Sequence, residues 1–164
     1  MHPTPHPDDF RGALASWASG VTVVTTRLDG LVYGITVSSF TSLSLDPLLV
    51  LVCLDSSNRL AGMIQGSGRF AVSILAEGQA EIARWFAVSG REPAPAFEHF
   101  GTIEMSTGSP IIAGAVAHLD CELERIVPGG DHSIVIGRVR GAASDPLKAP
   151  LLYFRRAYRT PKLD

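Results

Sequence analysis

The sequence predicts a mainly β protein, an antiparallel barrel with a few short helices filling its gaps. Three observations carry that expectation. β-Branched runs such as "VTVVTTRL" and "LVYGITVSSF" recur at short intervals. The Asp29-Gly30 pair between those two runs is a strong hairpin signal. Hairpins dominate and no regular strand–helix–strand alternation appears, which argues against a parallel sheet.

The elements follow in order. Residues 1–9 ("MHPTPHPDD") are expected as a flexible tail, and residues 10–164 as one domain. His2 and His6 belong to that tail and are not expected to hold a metal. "DDFRGALASWASG" reads as a helix capped by Asp8 or Asp9 and stopped by Gly20. Phe10, Leu14 and Trp17 share its apolar face, with Trp17 expected in the core. The hairpin of residues 21–40 comes next.

Five hydroxyls (Ser38, Ser39, Thr41, Ser42, Ser44) then crowd a gap before the apolar run "LLVLVCL", expected as a buried strand after Asp46-Pro47. "DSSNRLAGMIQG" predicts a short helix with Ser56 or Ser57 as N-cap and Gly66 as stop. "RFAVSIL" is a strand and "GQAEIARWFA" a second short helix. "VSGREPAPAFEHFGT" reads as a long irregular loop. "SPIIAGAVAHLDCELERIV" predicts one long strand bent at Gly114, and "SIVIGRVRGAAS" another. "PLLYFRRAYR" closes the chain in extended form, with Tyr153, Arg155 and Arg156 alternating in direction. The count is six or seven strands and three short helices.

Composition narrows the function classes. The 164 residues are 46% hydrophobic and 18% charged, enough to fill a core. A formal net charge of -2 gives no basic surplus for nucleic acid or an acidic membrane. Cys53 and Cys121 lie in apolar runs, outside any C-x-x-C pair, and are expected as buried thiols in a reducing cytoplasm. The N-terminus lacks the basic and apolar regions of a signal peptide, and no run approaches the ~20 apolar residues of a membrane helix.

Familiar catalytic motifs are absent: no H-E-x-x-H, G-x-S-x-G, Walker loop or G-x-G-x-x-G after a strand. Asp120, Glu122 and Glu124 alternate along one strand and are expected on a solvated face. Chemistry without acid–base pairs usually relies on a cofactor. The hydroxyl cluster suits a flavin, whose ring edge is rich in N and O and whose tail ends in phosphate. Small residues such as Ser38 and Ser39 let a strand backbone approach the ring edge. A helix starting after "DSSNR" offers N–H groups and a positive dipole end to the phosphate, with Arg59 adding charge. The competing reading is that Ser and Thr between strands merely cap turns.

The stretch "GITVSSFTSLSLDPLLVLVCLDSSNR" closely resembles the signature of the short-chain flavin reductase family, the reductase components of two-component flavin-dependent monooxygenases. "GDHSIVIGRV" and "PLLYFRRAYR" match two further family blocks in order and distance. The resemblance implies an antiparallel Greek-key split β-barrel that binds FMN or FAD and uses NADH or NADPH. It also implies a homodimer and a monooxygenase partner reached through diffusible reduced flavin. Carried over by position, the flavin-ring strand falls on Thr36, Val37, Ser38 and Ser39. Phosphate and ribityl contacts fall near Cys53, Leu54, Asp55, Ser57, Asn58 and Arg59. His132, the histidine of "GDH", is placed near the nicotinamide, and Tyr153 borders the same cleft. His132 would position the nicotinamide rather than donate a proton. Two alternatives stand beside this: a reductase that keeps its flavin and serves another acceptor, such as a cobalt corrinoid, and a flavin- or heme-binding module without turnover.

Overall fold

The computed structural model describes residues 4–90 and 94–162. Twelve strands and four α-helices follow one another as α1 (Pro7–Ala15), β1 (Ser19–Gly20), β2 (Thr22–Leu28), β3 (Leu31–Val37), β4 (Thr41–Leu45), β5 (Leu48–Asp55), α2 (Arg59–Ser67) and β6 (Arg69–Ile74). Then come α3 (Ala80–Phe86), α4 (Ala94–Phe100), β7 (Thr102–Glu104), β8 (Pro110–Ile112), β9 (Ala117–Gly129), β10 (His132–Ser144), β11 (Leu152–Phe154) and β12 (Ala157–Arg159).

Seven strands form one sheet in the order β3-β2-β6-β9-β10-β5-β4, with every pairing antiparallel. The sheet curls so that β3 comes against β5, yet no ladder joins them. The barrel is therefore split along this seam. Asp29 and Gly30 turn the β2–β3 hairpin with φ of 50° and 81°, the mirror-image turn that their sequence signals. β1, β11 and β12 make a small second sheet beside it.

Two apolar clusters hold the fold. Val24, Val50, Val52, Leu54, Leu60, Ile64, Phe70 and Val135 fill the barrel, with α2 contributing Leu60 and Ile64. Val21, Val23, Leu75, Ile82, Phe86, Phe97 and Ile112 pack under α3 and α4. Successive residues of a strand face opposite sides. Val23 and Val24 thus send β2 into both clusters.

Several expectations need correction. The expected tail is helical from Pro7, because the His6 side chain caps α1 by accepting from the Asp8 amide at 3.3 Å, in place of Asp8 or Asp9. Residues 1–3, with His2, lie outside the described residues. The helix ends at Ser16, so Gly20 belongs to β1, and Trp17 is 75% exposed rather than in the core. The hydroxyl-rich gap contains β4, an edge strand whose small side chains alternate along the margin of the sheet. β5 buries Val50, Val52 and Leu54 on one face, whereas Leu48, which begins the strand on that same face, is 52% exposed because it lies beyond the barrel core.

α2 is capped by the Asn58 side chain, not Ser56 or Ser57. It ends at Gly68 in the left-handed region (φ 71°), beyond Gly66. The expected loop over residues 88–102 contains α4, because Phe97 finds Phe86 at 5.2 Å between ring centroids and anchors a turn of helix; residues 91–93 lie outside the description. The long bent strand is two, β8 and β9, with Gly114 (φ 76°) between them. The closing segment folds back as the β11–β12 hairpin around Arg155 and Arg156. Asp120 shares the face of Glu122 but is fully buried, because residues 106–109 fold over it. Its carboxylate accepts from Ser106 Oγ at 2.9 Å, from the Thr107 amide at 2.8 Å and from the Thr107 hydroxyl.

Candidate active site

The split seam creates the site. β3 has a ladder partner on one side only, so alternate N–H and C=O groups of that strand point out of the sheet. β4 stops pairing with β5 at Leu51, so residues 53–55 of β5 lie beyond the β4 ladder on the same side. A cavity of about 380 Å³ lies between, walled by Thr36, Val37, Ser38 and Ser39 from β3 and its exit, and by Cys53, Leu54 and Asp55 of β5. His132 completes it, because the β10 register sets His132 opposite Asp55.

Eight of the sequence-predicted residues thus come together. Their hydroxyls are less free than expected. Thr36 donates to the Ala83 carbonyl of α3 at 2.8 Å. Ser39 bridges the seam: its Oγ donates to the Cys53 carbonyl at 2.7 Å and accepts from the Cys53 amide at 3.2 Å. Ser38 has neither commitment and lines the cavity. The seam thus offers mainly backbone groups and the Ser38 side chain.

Asp55 and Ser57 form a closed turn. Ser57 donates to the Asp55 carboxylate through its hydroxyl at 2.6 Å and its amide at 2.8 Å. The hydroxyl bond and then the amide bond from Ser57 hold the Asp55 carboxyl below its ordinary range, against an opposing effect of burial and with a lesser contribution from His132. Ser57 is therefore spent on Asp55, and Asp55 is an anion at neutral pH. Asn58 caps that turn and borders a neighbouring pocket of about 160 Å³ with Tyr33, Thr36, Trp85 and Ser89. The Arg59 guanidinium sits 4.0 Å from the centroid of the Tyr33 ring.

His132 is half-exposed, and Asp131 Oδ1 lies 2.7 Å from its Nδ1. That contact fixes the ring and leaves Nε2 as its other polar atom. Tyr153 is not in the His132 cavity. It lies beyond Ser38, in a smaller cavity with Val21, Thr36 and Tyr158 and in a larger cleft with Trp17 and Arg156. Ser38 borders all three spaces. Sequence reasoning missed the walls supplied by α1 and by residues 87–89, for which no motif gives a signal.

The edge-on backbone of β3, the roomy seam and the nearby helix start fit a flavin: polar groups for the ring edge, space for a flat ring system, and N–H groups for a phosphate. Residues 14–162 match the model of the flavin reductase like domain. The chain belongs to this family. The reductase subunit of a flavin-dependent monooxygenase from Rhodococcus jostii is 40% identical over 152 residues, covering 93% of this chain and 76% of that protein. The reductase component of 4-hydroxyphenylacetate 3-monooxygenase from Thermus thermophilus is also 40% identical, over 92% of this chain and 93% of its own length. Among solved structures, an NADH:FAD oxidoreductase from Streptomyces globisporus, in complex with NAD and FAD fragments, superposes with a TM-score of 0.90. It shares 35% identity and covers 99% of both chains.

Proposed function

We propose that this chain is an NAD(P)H:flavin oxidoreductase that supplies reduced flavin to a partner monooxygenase. The observation that carries the reading is the convergence of the unpaired β3 edge, the end of β5 beyond the β4 ladder and His132 on one seam. A bound FMN or FAD supplies the hydride acceptor. Backbone groups of residues 36–39 hold the ring edge, and the first turn of α2, with Asn58 and Arg59, holds the phosphate.

Hydride transfer from a nicotinamide needs close stacking and exclusion of water, not a protein acid or base. His132 meets the first need. Its ring is oriented by Asp131 and stands at the mouth of the seam, where it aligns the nicotinamide. Tyr153, on the far side of Ser38, guides the rest of the coenzyme. The assay is oxidation of NADH with FMN or FAD added. His132→Ala is expected to lower kcat/KM for NADH by about tenfold to a hundredfold, the loss of one positioning contact, while flavin affinity holds. An unchanged kcat/KM for NADH returns His132 to a turn residue.

The reading extends to assembly and place of work. Leu43, Leu45 and Leu48 are 45%, 86% and 52% exposed at one corner of the sheet, beside the unpaired edge of β4. That patch supports a homodimer, since such edges are normally covered or blunted. Two free thiols and dependence on reduced nicotinamide favour the cytoplasm. Among the described residues, no helix is long and apolar enough to cross a membrane.

A further inference from the structure

The accessible edge of β3 does not end with the seam. Ile35 and Thr36 border both the seam cavity and the smaller pocket of about 160 Å³, which runs on to Tyr33 and Asn58. A flavin with its ring edge on residues 36–39 therefore has a continuous path for its tail, toward the first turn of α2.

Arg59 opens that turn, and its place there is locally unfavourable. The N-terminal end of a helix carries a partial positive charge and favours acidic side chains. The first turn of α2 has none and begins with this arginine instead. A residue set against its local field suggests a task beyond stability. Arg59 is also exposed and its side chain is long, so a guanidinium held in one place needs a support. Tyr33 supplies one. Its ring is 8% exposed and belongs to the barrel cluster with Leu60, Ala61 and Ile64 of α2. The Arg59 guanidinium lies 4.0 Å from the ring centroid, inside the ~6 Å over which an aromatic face attracts a cation. A ring fixed in the core thus carries a surface cation, next in sequence to Asn58, which lines the pocket.

We infer that Tyr33 is a positioning residue for phosphate-bearing flavins: its ring holds the Arg59 guanidinium ready for the phosphate and so sets a preference for FMN over riboflavin. The inference rests on the proposed flavin site, in which Arg59 meets the phosphate, and Tyr33 acts through Arg59. A guanidinium already held in place gives up less freedom on binding than a loose one.

Riboflavin is the control, because it shares the ring and polyol chain of FMN and lacks the phosphate. Fluorescence titration gives Kd for both flavins with the wild type and with variants at position 33. Tyr33→Leu removes the ring and is expected to weaken FMN about tenfold, while riboflavin changes by less than about twofold. Tyr33→Phe keeps the ring and should preserve the ratio of the two affinities. In turnover with NADH, Tyr33→Leu should raise KM for FMN and leave kcat unchanged, since nothing at the reacting atoms is altered. Because Tyr33 is a core residue, a series that spares the fold accompanies these variants: phenylalanine carrying successively more ring fluorines at position 33. Fluorine drains the negative face that attracts the cation, so FMN affinity should fall stepwise while riboflavin affinity and Tm hold. Equal losses for FMN and riboflavin, or no dependence on fluorine number, leave Tyr33 a core residue only and overturn the inference while the flavin site stands. A wild type that binds riboflavin as tightly as FMN also overturns it, with the ring site intact. A wild type that binds neither flavin sinks the flavin reading itself, and the inference with it.

Discussion

Ser39 is the side chain on which sequence and structure part most clearly, and Ser39→Ala tests the difference. As a ligand contact, its loss would weaken flavin binding and leave the fold alone. In the structure its hydroxyl is engaged twice with Cys53, donating at 2.7 Å and accepting at 3.2 Å, and these bonds bridge β3 and β5 where no ladder joins them. A typical intramolecular hydrogen bond contributes ~0.5–1.5 kcal/mol net. Ser39 is exposed, so water partly replaces what is lost, and two bonds together amount to about 1–2 kcal/mol. For a domain of this size 1 kcal/mol moves Tm by about 2–4 °C, which gives a fall of about 2–8 °C. Calorimetry of wild type and variant without flavin measures it, and a parallel flavin titration shows whether affinity follows. An unchanged Tm with a large loss of flavin affinity would refute the reasoning and restore Ser39 as a ligand contact.

Other outcomes follow from the same geometry. A Cβ at Gly137 would stand 2.6 Å from Cε1 of the fully buried Phe70, so Gly137→Ala is expected to cost about 1–3 kcal/mol, read from the denaturant midpoint at unchanged slope. Burial, and then the Asp120 charge, push the Cys121 thiol up to about 12. Iodoacetamide at mildly alkaline pH should therefore leave Cys121 unmodified until the chain unfolds. The raised value favours the folded state fully below about 9, and this contribution is lost as pH rises toward about 12, so a Cys121→Ala variant should show a flatter alkaline stability profile. Light scattering should report about twice the 17.5 kDa chain mass, and a monomer that still turns over flavin would count against the dimer.

Much of the barrel was legible because strands announce themselves locally. Asp29-Gly30 specified its hairpin, and β-branched runs marked β2, β3 and β6. The residues of the seam were legible only as a family pattern; nothing local shows that Ser39 reaches Cys53, 14 positions away. Trp17 was misread because its spacing with Phe10 and Leu14 implies a buried face, whereas α1 buries none of its residues. Periodicity tells which residues share a face, not what covers it. The Arg155–Arg156 turn was invisible for a similar reason, since its residues are not those that such a turn prefers. Asp120 looked solvated because the loop that buries it comes from another part of the chain.

The position of Val23 and Val24 has a consequence for how the molecule comes apart. One strand serves as a wall of both apolar clusters, so neither can melt while the other stays native. The two clusters behave as a single cooperative unit, with one heat-absorption peak and no half-molten species. The amides of β2 should then exchange with solvent only through global opening, the slowest class in the chain, while those of β4 at the free margin exchange through local fraying. A protein built this way can leave its ligand seam loosely held without its core sharing that looseness.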